Sequence, residues 1–200
     1  MVLGTTTWNE RNRHRLVETR DAAKERGMCN PLILDYGPGG VVYFLADLFP
    51  KMVDGNWTAW DKTQRRVVKL VENLFRKTGL FRLETFETSE IAELFGELNP
   101  EAILVIDNEK RVAESVRYGV ARDNVPIPIT CYVHDVQKSP FQRQGDIVFA
   151  YNIVQRTKDQ QRTLDHISGS TRVGGLLSTT AETTPKGFNK IGRGLYERMN

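Results

Sequence analysis

The residues with the most chemical promise lie in LILDYGPGG, where an apolar run from Leu32 leads into Asp35, Tyr36, Gly37, Pro38, Gly39 and Gly40. Glycines placed between an apolar run and the following VVYFLADLF segment let a backbone approach a ligand without interference from a Cβ atom. A dinucleotide site is one reading of such a loop. A GxGxxG fingerprint starting at Gly37 requires glycine where Val42 stands, and Asp35 would set a carboxylate beside an incoming pyrophosphate, which it would repel. A sulfonium cofactor with an amino acid tail brings no phosphate and does bring an ammonium group. An acid at a strand end attracts that group through a charge-assisted hydrogen bond. The loop chemistry therefore favours S-adenosylmethionine over a nicotinamide cofactor, beside the plainer alternative of a glycine turn that only joins strand to helix.

Three later apolar runs also end in a polar residue: AILVID in Asp107, ITCYVHD in Asp135 and DIVFAYN in Asn152. At the tip of a second strand a carboxylate can accept hydrogen bonds from two ribose hydroxyls, and at a third it can accept from an adenine amine. Each acid taken singly also suits a helix N-cap. Their succession is what suggests a nucleoside site.

On these residues the chain resembles the class I S-adenosylmethionine-dependent methyltransferases over most of its length outside residues 51–100. LILDYGPGG resembles the family's glycine-rich first motif, and VIDNEKRVAESV its second strand with the ribose-binding acid and the next helix. YVHDV resembles the adenine-side acid, DIVFAYNIV the fourth strand, and TRVGGLLSTT the glycine turn and fifth strand. The resemblance implies that Asp35, Gly37 and Gly39 line the methionine end of the cofactor, with Gly40 in the same loop. It implies likewise that Asp107 holds the ribose, that Asp135 faces the adenine, and that Asn152 lies nearest the transferred methyl. Asn152 is followed by Ile153, Val154 and Gln155, without the prolines and aromatic of the amino-methyltransferase motif, so no catalytic residue is assigned. Methyl transfer needs little acid or base chemistry, because the sulfonium is already a good leaving group and the enzyme mainly holds the nucleophile in line. The closing stretch from GLLSTTAE to FNKIGRGLYERMN resembles the compact ending of chemotaxis receptor glutamate methyltransferases, a likeness from which no substrate is carried over.

The elements that must position these residues follow from periodicity. Residues 8–27 are rich in helix formers, end in glycine and carry Lys24 and Arg26 where the last turn of a helix favours cations. Leu32–Gly37 reads as a buried strand and VVYFLADLF as a helix. Residues 61–79 place Val67, Val71 and Leu74 on one helical face, FRLETFE alternates as a strand, and Thr88 or Ser89 can cap a helix EIAELFGEL. Beyond Pro100 come strand Ala102–Asp107, helix NEKRVAESVRYGV, strands Ile129–Asp135 and Asp146–Asn152, helix DQQRTLDHISGST and strand Gly174–Thr180. Alternating strands and helices predict an α/β, doubly wound, mostly parallel Rossmann-like sheet, with ligands beyond the carboxyl ends of its strands. The chain divides into a single domain over 1–200, with an N-terminal helical arm over 1–30 and an insertion over 51–100.

One conflict of spacing stays open at this level. The family places a single helix between the glycine motif and the ribose acid, whereas here far more residues separate Asp35 from Asp107. Either residues 51–100 are inserted, or residues 81–90 form the first strand and its loop. In the second case Phe86, Glu87, Thr88, Ser89 and Glu90 would fill the space glycines leave open, and the domain would be a non-catalytic, methyltransferase-like binding or accessory module.

Bulk composition excludes several other classes. The 28 basic and 25 acidic residues are spread along the chain, and a net charge of +3 is too mild to indicate nucleic acid. Cys29 and Cys131 offer neither a disulfide framework nor a zinc spacing, and suit a reducing, cytoplasmic setting. Cys131 and His134, three apart on an expected strand, point to opposite faces and form no metal pair. No signal peptide or membrane span is expected. Solvated or capping roles suit His14 and His166, and packing suits Trp8, Trp57 and Trp60. The mixed charges around Arg11, Arg13, Arg15 and Arg20 read as a solvated face. The methyl acceptor, small molecule or macromolecule, is not legible.

Overall fold

A computed structural model describes residues 5–37, 87–108, 126–151 and 153–200 of the chain. Seven strands form one sheet in the order β3-β2-β1-β4-β5-β7-β6. These are β1 (Leu32–Tyr36), β2 (Ala102–Asp107), β3 (Ile129–Val133), β4 (Gly145–Ala150), β5 (Thr171–Thr179), β6 (Phe188–Gly192) and β7 (Leu195–Arg198). The first five run parallel, and β7 is antiparallel to both β5 and β6. The fold is the doubly wound, mostly parallel, Rossmann-like sheet that the alternation predicts. Helices α1 (Thr5–Glu25), α2 (Glu87–Phe95) and α3 (Gln160–Gly169) are the described helices of four residues or more.

Apolar side chains at alternate positions supply both faces of this sheet, as burial on two sides requires. Ile33, Ile103, Val105, Ile147 and Phe149 pack with Leu16 and Ala23 of α1 and with Ile91 and Phe95 of α2. Leu34, Leu104, Ile106 and Val148 pack on the opposite face with Leu164 and Ile167 of α3. The described part of the 51–100 stretch therefore belongs to the core. Likewise the N-terminal helix is docked on the sheet through side chains with no exposure at all at Leu16 and Ala23.

The conflict over the first strand is resolved by this topology. Leu32–Tyr36 is hydrogen-bonded between β2 and β4 at the centre of the sheet, with all five residues buried. Glu87–Glu90 is helical, and the first turn of α2 turns a side chain towards β1. The expected strand FRLETFE otherwise lies outside the described residues, as do the expected helices VVYFLADLF, 61–79 and NEKRVAESVRYGV. Thr88 does not cap the helix it was expected to cap. It lies inside α2, fully buried, and its hydroxyl donates to Asp35 instead.

Two other expectations are corrected. Strand β3 stops at Val133, because Asp135 closes a turn in which its carbonyl accepts from the Lys138 amide at 3.0 Å and its Oδ1 accepts from the Gln137 amide at 3.1 Å. Strand β5 starts at Thr171, ahead of the expected Gly174, so the expected glycine turn lies inside the strand. Gly174 and Gly175 sit where the register with β4 slips, and a Cβ on Gly175 would come within 2.8 Å of the Asp146 carbonyl oxygen. The last helix begins as its sequence suggests, with the Asp159 carboxylate accepting from the Arg162 amide at 3.0 Å.

Candidate functional site at the carboxyl edge of the sheet

Register decides what meets at the strand tips. Tyr36 is opposite Ile106, Asp35 opposite Phe149, and Asp107 opposite Val133. Continuing each pairing by its period brings Gly37, Asp107 and Tyr151 to one level, with His134 and Asp135 just beyond the end of β3. A cavity of about 290 Å³ opens there, lined by Gly37, Asp107, His134, Asp135, Tyr151 and Arg156 among others. It lies beyond the carboxyl ends of β1 to β4, where parallel α/β sheets bind ligands.

Each lining group is held by its own local structure. Gly37 has φ of +60°, and its amide donates to the Ile106 carbonyl at 2.9 Å. A Cβ there would meet the Ile153 side chain at 3.2 Å, so both conformation and space favour glycine. Asp107 is 7% exposed, enough for its carboxylate to reach the cavity while its backbone carbonyl accepts from the His134 amide at 2.8 Å. Asp135 keeps partial exposure, with Lys138 Nζ at 3.3 Å from its Oδ2. Tyr151 is buried, with its hydroxyl 2.7 Å from Ser178 Oγ on β5. Beneath the loop after β3, His166 Nδ1 lies 2.6 Å from the Val136 carbonyl oxygen, so it supports that loop and does not take the solvated or capping role expected of it.

Asp35 occupies a different position from the other predicted acids. Alternation turns it to the α1/α2 face, the same face as Asp107, and it has no exposure. It lies behind the cavity wall formed by the described residues and not on it. Oδ2 accepts from Thr88 Oγ1 at 2.7 Å, while Oδ1 has no hydrogen-bond partner among the described residues. Burial pushes its pKa up to about 7; the Thr88 hydrogen bond opposes that rise, and the nearby negative charge of Asp107 adds to it. A carboxylate oxygen without a partner among the described residues, two positions before Gly37, is a group that a nearby cation or hydrogen-bond donor would satisfy.

Of the seven cofactor positions expected from sequence, Gly37, Asp107 and Asp135 come together on one cavity, and Asp35 supports it from below. Gly39, Gly40 and Asn152 lie outside the described residues. His134, set aside in the sequence as a strand residue, lines the cavity once β3 ends at Val133, with Nε2 2.9 Å from the Ser139 carbonyl oxygen. Its expected opposite, Cys131, is buried in the core. Tyr151 and Arg156 were missed as well; their signal was proximity to the end of the fourth strand. No group of three or more potential metal ligands occurs among the described residues.

No protein-family model and no curated protein matches the sequence. Among solved structures, the chain is similar to the N-methyltransferase NodS from Bradyrhizobium japonicum in complex with S-adenosyl-L-homocysteine, at a TM-score of 0.47 and 12% identity. It covers 85% of this chain and 60% of that one. Coclaurine N-methyltransferase bound to N-methylheliamine and S-adenosylhomocysteine is similar at 0.47 and 14%, over 82% of this chain and 35% of that one. The YcgJ protein from Bacillus subtilis is similar at 0.48 and 12%, over 83% of this chain and 49% of that one. The chain thus spans less than two thirds of the length of each of these proteins. Functional assignment turns on the cavity's own chemistry.

Proposed function

We propose that this domain binds S-adenosylmethionine in the cavity at the carboxyl edge and transfers its methyl group to an acceptor. The observation that carries the reading is the convergence of Gly37, Asp107 and Asp135 on one cavity, in the strand order that lets them serve a nucleoside and its amino acid tail in succession. When bound, the cofactor supplies an activated methyl on a sulfonium. Asp107 accepts hydrogen bonds from ribose hydroxyls, and Asp135 accepts from the adenine amine with the carboxylate capacity left by Gln137 and Lys138. Gly37 lets the backbone approach the amino acid portion, and Asp35 below it, which burial holds towards its neutral form, is drawn to its charged form by an ammonium placed nearby. No side chain needs to act as a base in this scheme; placement of the acceptor in line supplies the rate.

The non-catalytic alternative drew on residues 81–90 as an altered first strand, and the central position of Leu32–Tyr36 removes that motive. No helix among the described residues is long and apolar enough to cross a membrane. The deciding experiment is isothermal titration of the purified chain with S-adenosylhomocysteine beside Asp107→Ala and Asp135→Ala. Micromolar binding weakened by both substitutions is the expected result. A folded wild-type chain that takes up no S-adenosylhomocysteine would overturn the proposal.

A further inference from the structure

The cavity also contains a guanidinium that has no acid partner among the described residues. Arg156 closes a short 3-10 turn, Val154–Arg156, just past β4, and its exposed side chain lines the cavity. The turn is fixed: the Arg156 amide donates to Ile153 O at 3.2 Å, the Thr157 amide to Val154 O at 3.1 Å, and Val154 is buried. Thr157 Oγ1 adds a bond to the same Val154 oxygen at 2.8 Å. Like several other described arginines, Arg156 has no acid partner among the described residues; what sets it apart is that it is the described arginine lining the cavity.

The cavity lining carries charges of both signs. Asp107 belongs by alternation to the α1/α2 face, and Tyr151 packs in the core on that side. Val136 and Ile153 belong to the α3 side, and Arg156 lines the same cavity. A ligand lying across the tips therefore meets both carboxylate acceptors and a guanidinium. An unpaired guanidinium would repel a sulfonium in the same cavity unless an anion stood between them. A guanidinium fork matches a carboxylate in two parallel hydrogen bonds.

We propose that Arg156 is a carboxylate-binding residue of this cavity, an inference that rests on the methyltransferase reading. The carboxylate comes either from the amino acid portion of the cofactor or from an acidic methyl acceptor, and the two sources are separable. Saturation-transfer NMR on the full chain with millimolar acetate as the probe reads the site directly. One arm holds the protein saturated with S-adenosylhomocysteine, the other with 5′-methylthioadenosine, which lacks the amino acid portion. Acetate should bind in the methylthioadenosine arm and bind about tenfold more weakly to Arg156→Gln, with Arg156→Lys in between. Displacement of acetate by S-adenosylhomocysteine assigns the carboxylate to the cofactor; persistence beside it assigns the position to the acceptor. Equal acetate binding by wild type and Arg156→Gln, or none by a wild type that binds either nucleoside, overturns the inference. Failure of wild type to bind either nucleoside is a separate result, and it overturns the methyltransferase reading together with this inference.

Discussion

Two aspartates at opposite edges of the sheet show how differently the same side chain can be used. Asp146, at the amino edge, takes the Leu32 amide on Oδ2 at 2.7 Å and the Arg172 guanidinium at 2.9 and 3.1 Å, so both of its oxygens are served. It ties β4 to the start of β1 and to β5. Asp35, near the carboxyl edge, has one hydrogen bond from Thr88, one orphaned oxygen and a second acid nearby. A satisfied carboxylate contributes to folding; an unsatisfied buried one costs stability and is retained where a ligand can complete it. Among the described residues the unsatisfied buried carboxylate is the one beneath the cavity, whereas the amino edge carries a satisfied carboxylate and an unsatisfied hydroxyl, Thr171 Oγ1.

The widest gap between the two should open with pH. Asp35 has a folded-state pKa raised to about 7 from an ordinary 3.8, so between those values the folded chain holds a proton that the unfolded chain has released. Stability linked to Asp35 therefore falls as pH rises from about 4 through about 7 and then levels off, by on the order of a few kcal/mol. Asp35→Asn should flatten that fall and unfold at a higher denaturant midpoint than wild type at pH 8. Parallel wild-type and variant curves would place Asp35 in a better-solvated setting than its burial indicates.

At the cavity, Asp107→Ala should weaken S-adenosylhomocysteine by about 2 to 3 kcal/mol, the worth of charged hydrogen bonds to a ligand. An unchanged dissociation constant in calorimetry would remove Asp107 from the site. Asp146→Ala should act on stability instead. It leaves the part-buried Leu32 amide and Arg172 without their partner, at a cost of about 1 to 2 kcal/mol in urea unfolding, while affinity for the nucleoside holds. Loss of nucleoside binding by a folded Asp146→Ala chain would break the division between the edges. The smallest effect belongs to Gly37→Ala, about 1 kcal/mol of backbone strain at φ of +60°, accompanied by weaker nucleoside binding because the methyl displaces Ile153. Thermal melts with and without S-adenosylhomocysteine separate the two contributions.

The parallel strands β1, β2, β4 and β5, helix α3 and the position of Asp107 at a strand end were legible from apolar runs and what ended them, whereas the closing strands β6 and β7 were not read from periodicity and Asp135 lies past the end of β3. Those signals are local: a run of buried apolar residues has few alternatives to a central strand, and a polar residue at its end has few places to lie other than the tip. The choice between residues 32–40 and 81–90 as the first strand was not local. It depended on which segment β2 and β4 accept as a neighbour, a competition of hydrogen-bond registers between residues far apart in the chain. The same holds for Thr88, a plausible helix cap until packing of α2 turns its hydroxyl to Asp35, and for His134, which alternation kept on a strand until the turn at Asp135 released it. Chemistry of residue types is thus written in the chain. Which groups stand within reach of one cavity is a property of register and packing, because these bring together tips that the chain itself keeps far apart.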